Sequence, residues 1–408
     1  MTSVKVAVRV RPFNTREKNM SSQCIIEMKD NMTKITDPAS GKEKKFYFDY
    51  SYWSHDGYVE EPNTALMVPD GPGSMYASQQ KIFDDLGMDV LNNAWEGYHT
   101  CLFAYGQTGS GKSYSIVGYG KNEGIIPMAC CEIFRRIDNA KAKPANKLVF
   151  EVSVSMLEIY NEKVHDLFMD PNKRQKGGLK VRENKGEVFV EGLTKIPVQS
   201  YKDIEEQINM GTSNRTIGAT QMNATSSRAH TVTTITFKQT TYENGKPQNQ
   251  KRSDINLVDL AGSERQSGTG ASGQRLKEGS NINKSLSFLG KCITVLAENS
   301  TGGSKNKVVP YRESQLTRIL QNALGGNSKT SMIAALSPAS VNYEETLSTL
   351  RYANQVKAIK NDAKINESAH DKLIRELREE NERLKQMVDH KADLHQYDSI
   401  VPENYGNK

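Results

Sequence analysis

The run Gly106-Gln107-Thr108-Gly109-Ser110-Gly111-Lys112-Ser113 fits the spacing G-x-x-x-x-G-K-[ST], a pattern suited to holding a nucleoside triphosphate. Its glycines let successive backbone N–H groups turn inward around phosphate oxygens. The Lys112 ammonium neutralises β- and γ-phosphate charge, and the Ser113 hydroxyl can ligate Mg²⁺. A triphosphate site also needs groups that sense the γ-phosphate, and two downstream segments have the chemistry. Asn223-Ala224-Thr225-Ser226-Ser227-Arg228-Ala229-His230 is rich in hydroxyls and carries one cation. Asp259-Leu260-Ala261-Gly262-Ser263-Glu264 puts a carboxylate where it can hold a metal's water shell, with a bare glycine N–H three residues on. Taken alone, the first is equally a polar loop and the second a strand terminus.

These residues need a scaffold, and the flanking patterns supply one. Cys101 to Tyr105 reads as a buried strand leading into the glycine run, and Ile255 to Val258 as another leading into Asp259. Val4 to Val10 alternates with period two, as do Leu148, Phe150, Val152, Val154 and Met156, with Val232, Ile235 and Phe237 in a further strand. Ser78 to Ala94 carries Ile82, Phe83, Leu86, Val90 and Leu91 at helical spacing. Ser200 with Asp203 reads as a helix start, and Gly211 as its stop. Residues 56–74, carrying Pro62, Pro69, Gly71, Pro72 and Gly73, read as a flexible surface insertion. The expected fold class is α/β, a phosphate-loop NTPase with a central, mostly parallel mixed sheet flanked by helices on both faces.

The order of the phosphate loop, an N-x-x-S-S-R-x-H segment and a D-x-x-G-S-E segment resembles the kinesin motor domain. Arg9-Val10-Arg11-Pro12 looks like that family's adenine-stacking element. Asn281 to Leu286 resembles the start of its main microtubule-facing helix, and Val309 to Ser314 the loop entering the next. Tyr50 to His55, Leu324 to Ser328 and Leu373 to Leu377 look most like the kinesin-3 class. The resemblance covers about residues 3–388.

The resemblance implies roles. Arg9, Arg11, Pro12, Tyr76, Asn223 and the loop residues Gly106 to Ser113 would contact ATP. Ser113 and Ser227 would ligate Mg²⁺ directly and Asp259 through water. Gly262 would sense the γ-phosphate, Arg228 and Glu264 would close as an ion pair, and Ser226 with that pair would order the water chain, while Lys112 balances charge. Lys277, Asn283, Lys284, Lys305, Lys307, Tyr311, Arg312 and Arg318 would face the microtubule, with Arg312 and Arg318 on one helix. Only two lysines stand where kinesin-3 motors often carry a long run, and Gln315 replaces a more usual lysine, so a weak electrostatic tether is expected; Ala229 replaces a more usual serine and removes a hydroxyl from the N-x-x-S-S-R-x-H segment.

Resemblance also divides the chain into a motor domain over 1–357, a neck linker over 358–368 latched by Asn366 and covered by Met1 to Lys5, a neck helix over 369–390 and a tail over 391–408. The linker's position implies plus-end movement. Leu373, Leu377, Leu384 and Met387 follow heptad spacing, with Glu380 at one core position. About two and a half heptads make at most a weak dimer, so a monomer is the simpler expectation. The chain reads as the motor portion of a longer protein that holds its cargo elsewhere.

Composition agrees. The chain has 408 residues, net charge +6 and 36% hydrophobic content, with no run near the ~20 apolar residues that span a bilayer and no signal peptide. The five cysteines lack metal-ligand spacing and read as reduced, mostly core residues, so the expectation is a cytosolic, microtubule-associated protein without membrane insertion or nucleic-acid partner. A signalling GTPase would need N-K-x-D, and Asn283-Lys284-Ser285 is followed by Leu286. A non-motile crosslinker or an end-modifying kinesin with weak turnover remains the alternative.

Overall fold

The computed structural model describes residues 1–142, 148–184, 186–221, 226–243, 246–264, 274–300, 307–368 and, in the last helix, 372–377, 380–381, 383–385 and 387; the side chains of 219–221, 226, 243, 246 and 274–283 are outside the description. A twisted mixed sheet runs, in order, through Lys163–Asp166, Leu148–Tyr160, His230–Glu243, Lys246–Asp259, Thr100–Tyr105, Lys329–Leu336, Lys5–Val10 and Tyr50–Trp53, with Ile196–Val198 also paired to Leu148–Tyr160. The half from Lys246–Asp259 to Tyr50–Trp53 is parallel, and the other half is antiparallel.

Parallel strands need cover on both faces, and the burial follows that need. On one face Val6, Val8, Val10, Phe103 and Val258 pack with Leu289 and Ile293 of the Gln274–Ser300 helix and Leu347 and Leu350 of the Tyr343–Val356 helix. On the other, Ala7, Leu102, Ala104, Ile255 and Leu257 pack with Val90, Leu91, Ile133 and Ile204 from three further helices. Val232 faces the first core while Ile235 and Phe237 face the second, so the period-two reading of that strand merged two sides of one sheet. Each fully buried aliphatic side chain stabilises the layers by about 1.5–3 kcal/mol.

Three expectations are corrected. Residues 56–74 are ordered: Tyr58–Glu60 pairs with Met67–Pro69, and Asn122 pins the hairpin by accepting from Met67 N–H at 2.9 Å and donating to Ala65 O at 2.8 Å. Gly211 lies inside the Tyr201–Gln221 helix, because a Cβ there would sit 2.6 Å from Met156 Sδ; glycine permits close packing there rather than ending the helix. Arg312 and Arg318 do not share a helix, since a 3₁₀ turn at Tyr311–Glu313 stops at extended Ser314, which caps Gln315–Ile319.

Residues after the Tyr343–Val356 helix lie along the core. Thr2–Ser3 pairs antiparallel with Lys360–Asn361, and Asn361 Nδ2 reaches Ala323 O, Ser328 O and Thr330 Oγ1. Farther on, Asn366 donates through its backbone and side chain to Gly97 O at 2.9 and 3.0 Å, and accepts from Asn327 Nδ2 at 2.7 Å. Among the described residues of the last helix, Leu373, Leu377, Leu384 and Met387 are 52–62% exposed. Cys101, Cys130 and Cys292 are buried, Cys24 and Cys131 exposed, and all are free thiols. No helix among the described residues is long and apolar enough to cross a membrane.

Candidate nucleotide site and its connections

The glycine run leaves the C-terminal end of Thr100–Tyr105, in the parallel half, where doubly wound sheets place their ligands. Gly106, Gly109 and Gly111 have φ of +148°, +73° and +102°, and a Cβ on Gly106 would stand 2.3 Å from Ala335 O, so this backbone admits only glycine there. Lys112 opens the following helix. Its ammonium is buried and donates to Gly106 O and Gln107 O, both at 2.9 Å. Burial pulls its pKa below the ordinary lysine value, against the opposing fields of Asp259 and Glu264.

Strand register brings Asp259 to the loop. Asp259 stands beside Ala104 at the strand ends, and its Oδ2 accepts from Ser113 Oγ at 2.5 Å. The other oxygen, Oδ1, is buried without a protein partner. A serine hydroxyl beside a carboxylate with a spare buried oxygen suits a hard, oxygen-coordinated cation, and the curled loop with Lys112 suits a polyphosphate. The residues thus fit both Mg²⁺ and a nucleotide.

Backbone hydrogen bonds join the segments. Gly262 N–H donates to Ser227 O at 2.9 Å, and Ser263 N–H to Gly106 O at 3.1 Å. Gly262 has no room for a side chain, since a Cβ would lie 2.2 Å from Thr108 Oγ1. Glu264, expected to meet Arg228 in a closed state, accepts here from Thr108 N–H at 2.7 Å and from the Thr108 hydroxyl, because the loop tip offers two donors directly opposite. Asn223 lies outside the described residues, and of Ser226 only the backbone is described, in the turn Ser226–Arg228.

The expected base-contacting element divides in two. Arg9 is 3% exposed and donates to Ser54, Gln79 and Ser115, with its guanidinium 5.1 Å from the Tyr114 ring centre. It braces the loop helix from below. Arg11 reaches Gly109 O and forms a two-pronged pair with Glu17 at 2.6 and 2.7 Å. Pro12 is half-buried and Tyr76 buried, while Gln107, Thr108 and Gly109 carry open surface and Ser110 is buried.

Two buried residues that tie these segments together escaped the sequence reading. Glu17 is nearly buried, accepts from Ser337 and Asn342 besides Arg11, and is held below the usual carboxylate range by Arg11 and Asn14 despite burial. Its signal was the spacing Asn14-x-x-Glu17, a capping box. His230, noted only as the end of a motif, is fully buried. Its Nδ1 accepts from Ala261 N–H at 3.0 Å and its Nε2 lies 2.8 Å from Ser285 Oγ, linking both sensor segments to the Gln274–Ser300 helix. Burial, with Lys112 and Arg215 adding, drops the imidazole to about 3, so the ring is neutral. Nothing in the sequence announced Ser285 as its partner.

Of the residues expected to face the polymer, Lys284 is exposed, and Lys307 is exposed but paired with Glu298 at 2.7 Å. Arg312, with 82% side-chain exposure, pairs with Glu183, and Arg318 donates to Val181 O at 3.0 Å, so both engage the Val181–Val190 hairpin. Tyr311 spends its hydroxyl on Leu324 O. Lys305 and the side chains of Lys277 and Asn283 lie outside the described residues.

A family model described as the kinesin motor domain matches residues 9–359. The chain belongs to the kinesin motor family. It is 50% identical over 410 residues to kinesin-related protein 1 of Dictyostelium discoideum and 50% identical over 400 residues to human kinesin-like protein KIF1B, a kinesin-3 member. Those alignments cover 97% and 95% of this chain but only 18% and 21% of the relatives. Among solved structures, a KIF14 dimer with AMP-PNP in complex with a microtubule superposes with a TM-score of 0.80 at 44% identity, covering 92% of this chain and 99% of that one. A fast kinesin superposes at 0.75 with 38% identity, covering 90% and 94%. This kinesin motor domain therefore carries the phosphate-loop NTPase fold expected of it.

Proposed function

We propose that this chain is an ATP-hydrolysing, microtubule-stimulated motor domain whose turnover drives docking of its neck linker and movement toward microtubule plus ends. The motor comprises residues 1–357, the linker 358–368 and the neck helix 369–390, followed by a tail at 391–408; cargo belongs to a region outside this chain, and the polymer places the protein on the cytoplasmic cytoskeleton. The observation that carries the reading is the linker's attachment: one strand at Lys360–Asn361 and one latch at Asn366 fasten it to the core that holds the phosphate loop.

Ser113, Ser227 and Asp259 would hold Mg²⁺, and the loop amides with Lys112 would hold the polyphosphate, supplying the charge that γ-phosphoryl transfer needs. Arg11, Pro12 and Tyr76 border the base, with Asn223 added by family likeness. Gly262, tied to Ser227, moves its N–H only if both sensor segments move together. Glu264, held by Thr108 here, exchanges that contact for Arg228 in the closed state, where with Ser226 the pair orders the water that takes up the proton. That switch is stronger once water is excluded. Lys277, Asn283, Lys284, Lys305, Lys307, Tyr311, Arg312 and Arg318 form the polymer-facing set.

The test is steady-state ATP turnover with and without polymerised microtubules, for the wild type and Glu264→Ala. Strong stimulation abolished by the substitution is expected. Binding without stimulation would favour a non-motile crosslinker.

A further inference from the structure

Glu367, one residue beyond the latch, is a buried charge. Its side chain is 1% exposed; Oε1 accepts from Arg375 Nε at 2.8 Å, and Oε2 is buried without a partner. The carboxylate reaches that place by backbone docking: Arg252 N–H donates to Asn366 O at 2.9 Å, and Glu367 bridges Lys251. Arg375 lies in the following helix, near Lys372, whose N–H donates to Ser368 O at 2.9 Å. A buried carboxylate is tolerated only when a cation meets it, and this one's cation comes from the element after the linker.

Heptad position makes the contact informative. With Leu373, Leu377, Leu384 and Met387 on the seam, Arg375 falls at f, the position farthest from it. The seam residues are more than half exposed, so the core grips the helix by its back and leaves the seam open.

We infer that the Arg375–Glu367 pair makes linker docking and neck-helix orientation one event: the docked linker buries Glu367, Glu367 recruits Arg375, and Arg375 fixes the helix with its seam outward. Arg375 is thus a positioning residue for the stroke. The inference rests on the docking reading above and extends it to the element that receives the displacement.

The test uses the full 408-residue chain, with exposed Cys24 and Cys131 replaced by alanine. Spin labels at Lys364 of the linker and Tyr47 of the core report docking, and a second label pair at Leu377 and Tyr47 reports the helix. Distances are read with ADP and with a non-hydrolysable ATP analogue. Arg375→Gln strands a buried carboxylate, and the docked-to-undocked ratio is expected to fall about tenfold or more while the helix distance broadens. Glu367→Gln with Arg375→Gln removes the charge and should recover most of the docked population but not the narrow helix distance. Docking in Arg375→Gln equal to wild type, or no recovery in the double variant, would overturn the inference. A wild-type linker distance indifferent to nucleotide would overturn the docking reading itself.

Discussion

His230 shows how one buried side chain can join three segments. The ring accepts from Ala261 N–H and so carries its proton on Nε2, facing Ser285 Oγ. Because burial lowers its pKa to about 3, the unfolded chain binds a proton near pH 6.5 that the folded chain refuses. Stability from this residue is therefore present above pH 6.5 and falls as pH drops, by up to about 1.4 kcal/mol per pH unit. Thermal unfolding of wild type and His230→Ala between pH 5 and 8 checks this. The variant should be less stable at neutral pH by about 1–3 kcal/mol, since two buried polar groups lose their partner, and its stability should vary less with pH. A parallel pH dependence in both proteins would contradict the assignment. Lys112, Ser113, Asp259 and Gly262 were legible in the sequence because phosphate chemistry constrains spacing along the chain. Ser285 was not, because its contact spans distant segments that only folding brings together.

At the level of elements, the strands and most helices could be read from periodicity, whereas the exceptions record tertiary packing. Gly211 looked like a stop and is a contact with Met156. A comparable case is Gly87, where a Cβ would lie 2.2 Å from the Phe83 ring, within a π-turn that interrupts the Gln79–Glu96 helix without ending it. Residues 56–74 looked loose by composition, and the side chain of Asn122 holds them. The attachment of Asn366 could be anticipated only by resemblance, since its partners Gly97 and Asn327 are remote in sequence. Asn366→Ala removes the side-chain bonds to Gly97 O and Asn327 and keeps the backbone bond to Gly97 O, so the docked state should weaken by about 1–3 kcal/mol. In a labelled-linker measurement with an ATP analogue, the docked population should fall at least severalfold; an unchanged population would show that the strand pairing at Lys360–Asn361 suffices.

On the scale of the whole molecule, net charge of +6 favours an acidic polymer, but the described cations are partly spent within the chain: Lys307 on Glu298, Arg312 on Glu183, Arg318 on a backbone carbonyl. Microtubule affinity should therefore decline with ionic strength less steeply than for a motor with a long lysine run in the segment holding Lys305 and Lys307. Cosedimentation across a salt series measures the slope, and a slope as steep as such a motor's would contradict this. Coupling between the nucleotide site and a track is checked by ATP turnover of wild type and Glu264→Ala, each with and without microtubules. Large stimulation is expected in the wild type and none in the variant. Equal turnover with and without microtubules in the wild type would contradict it.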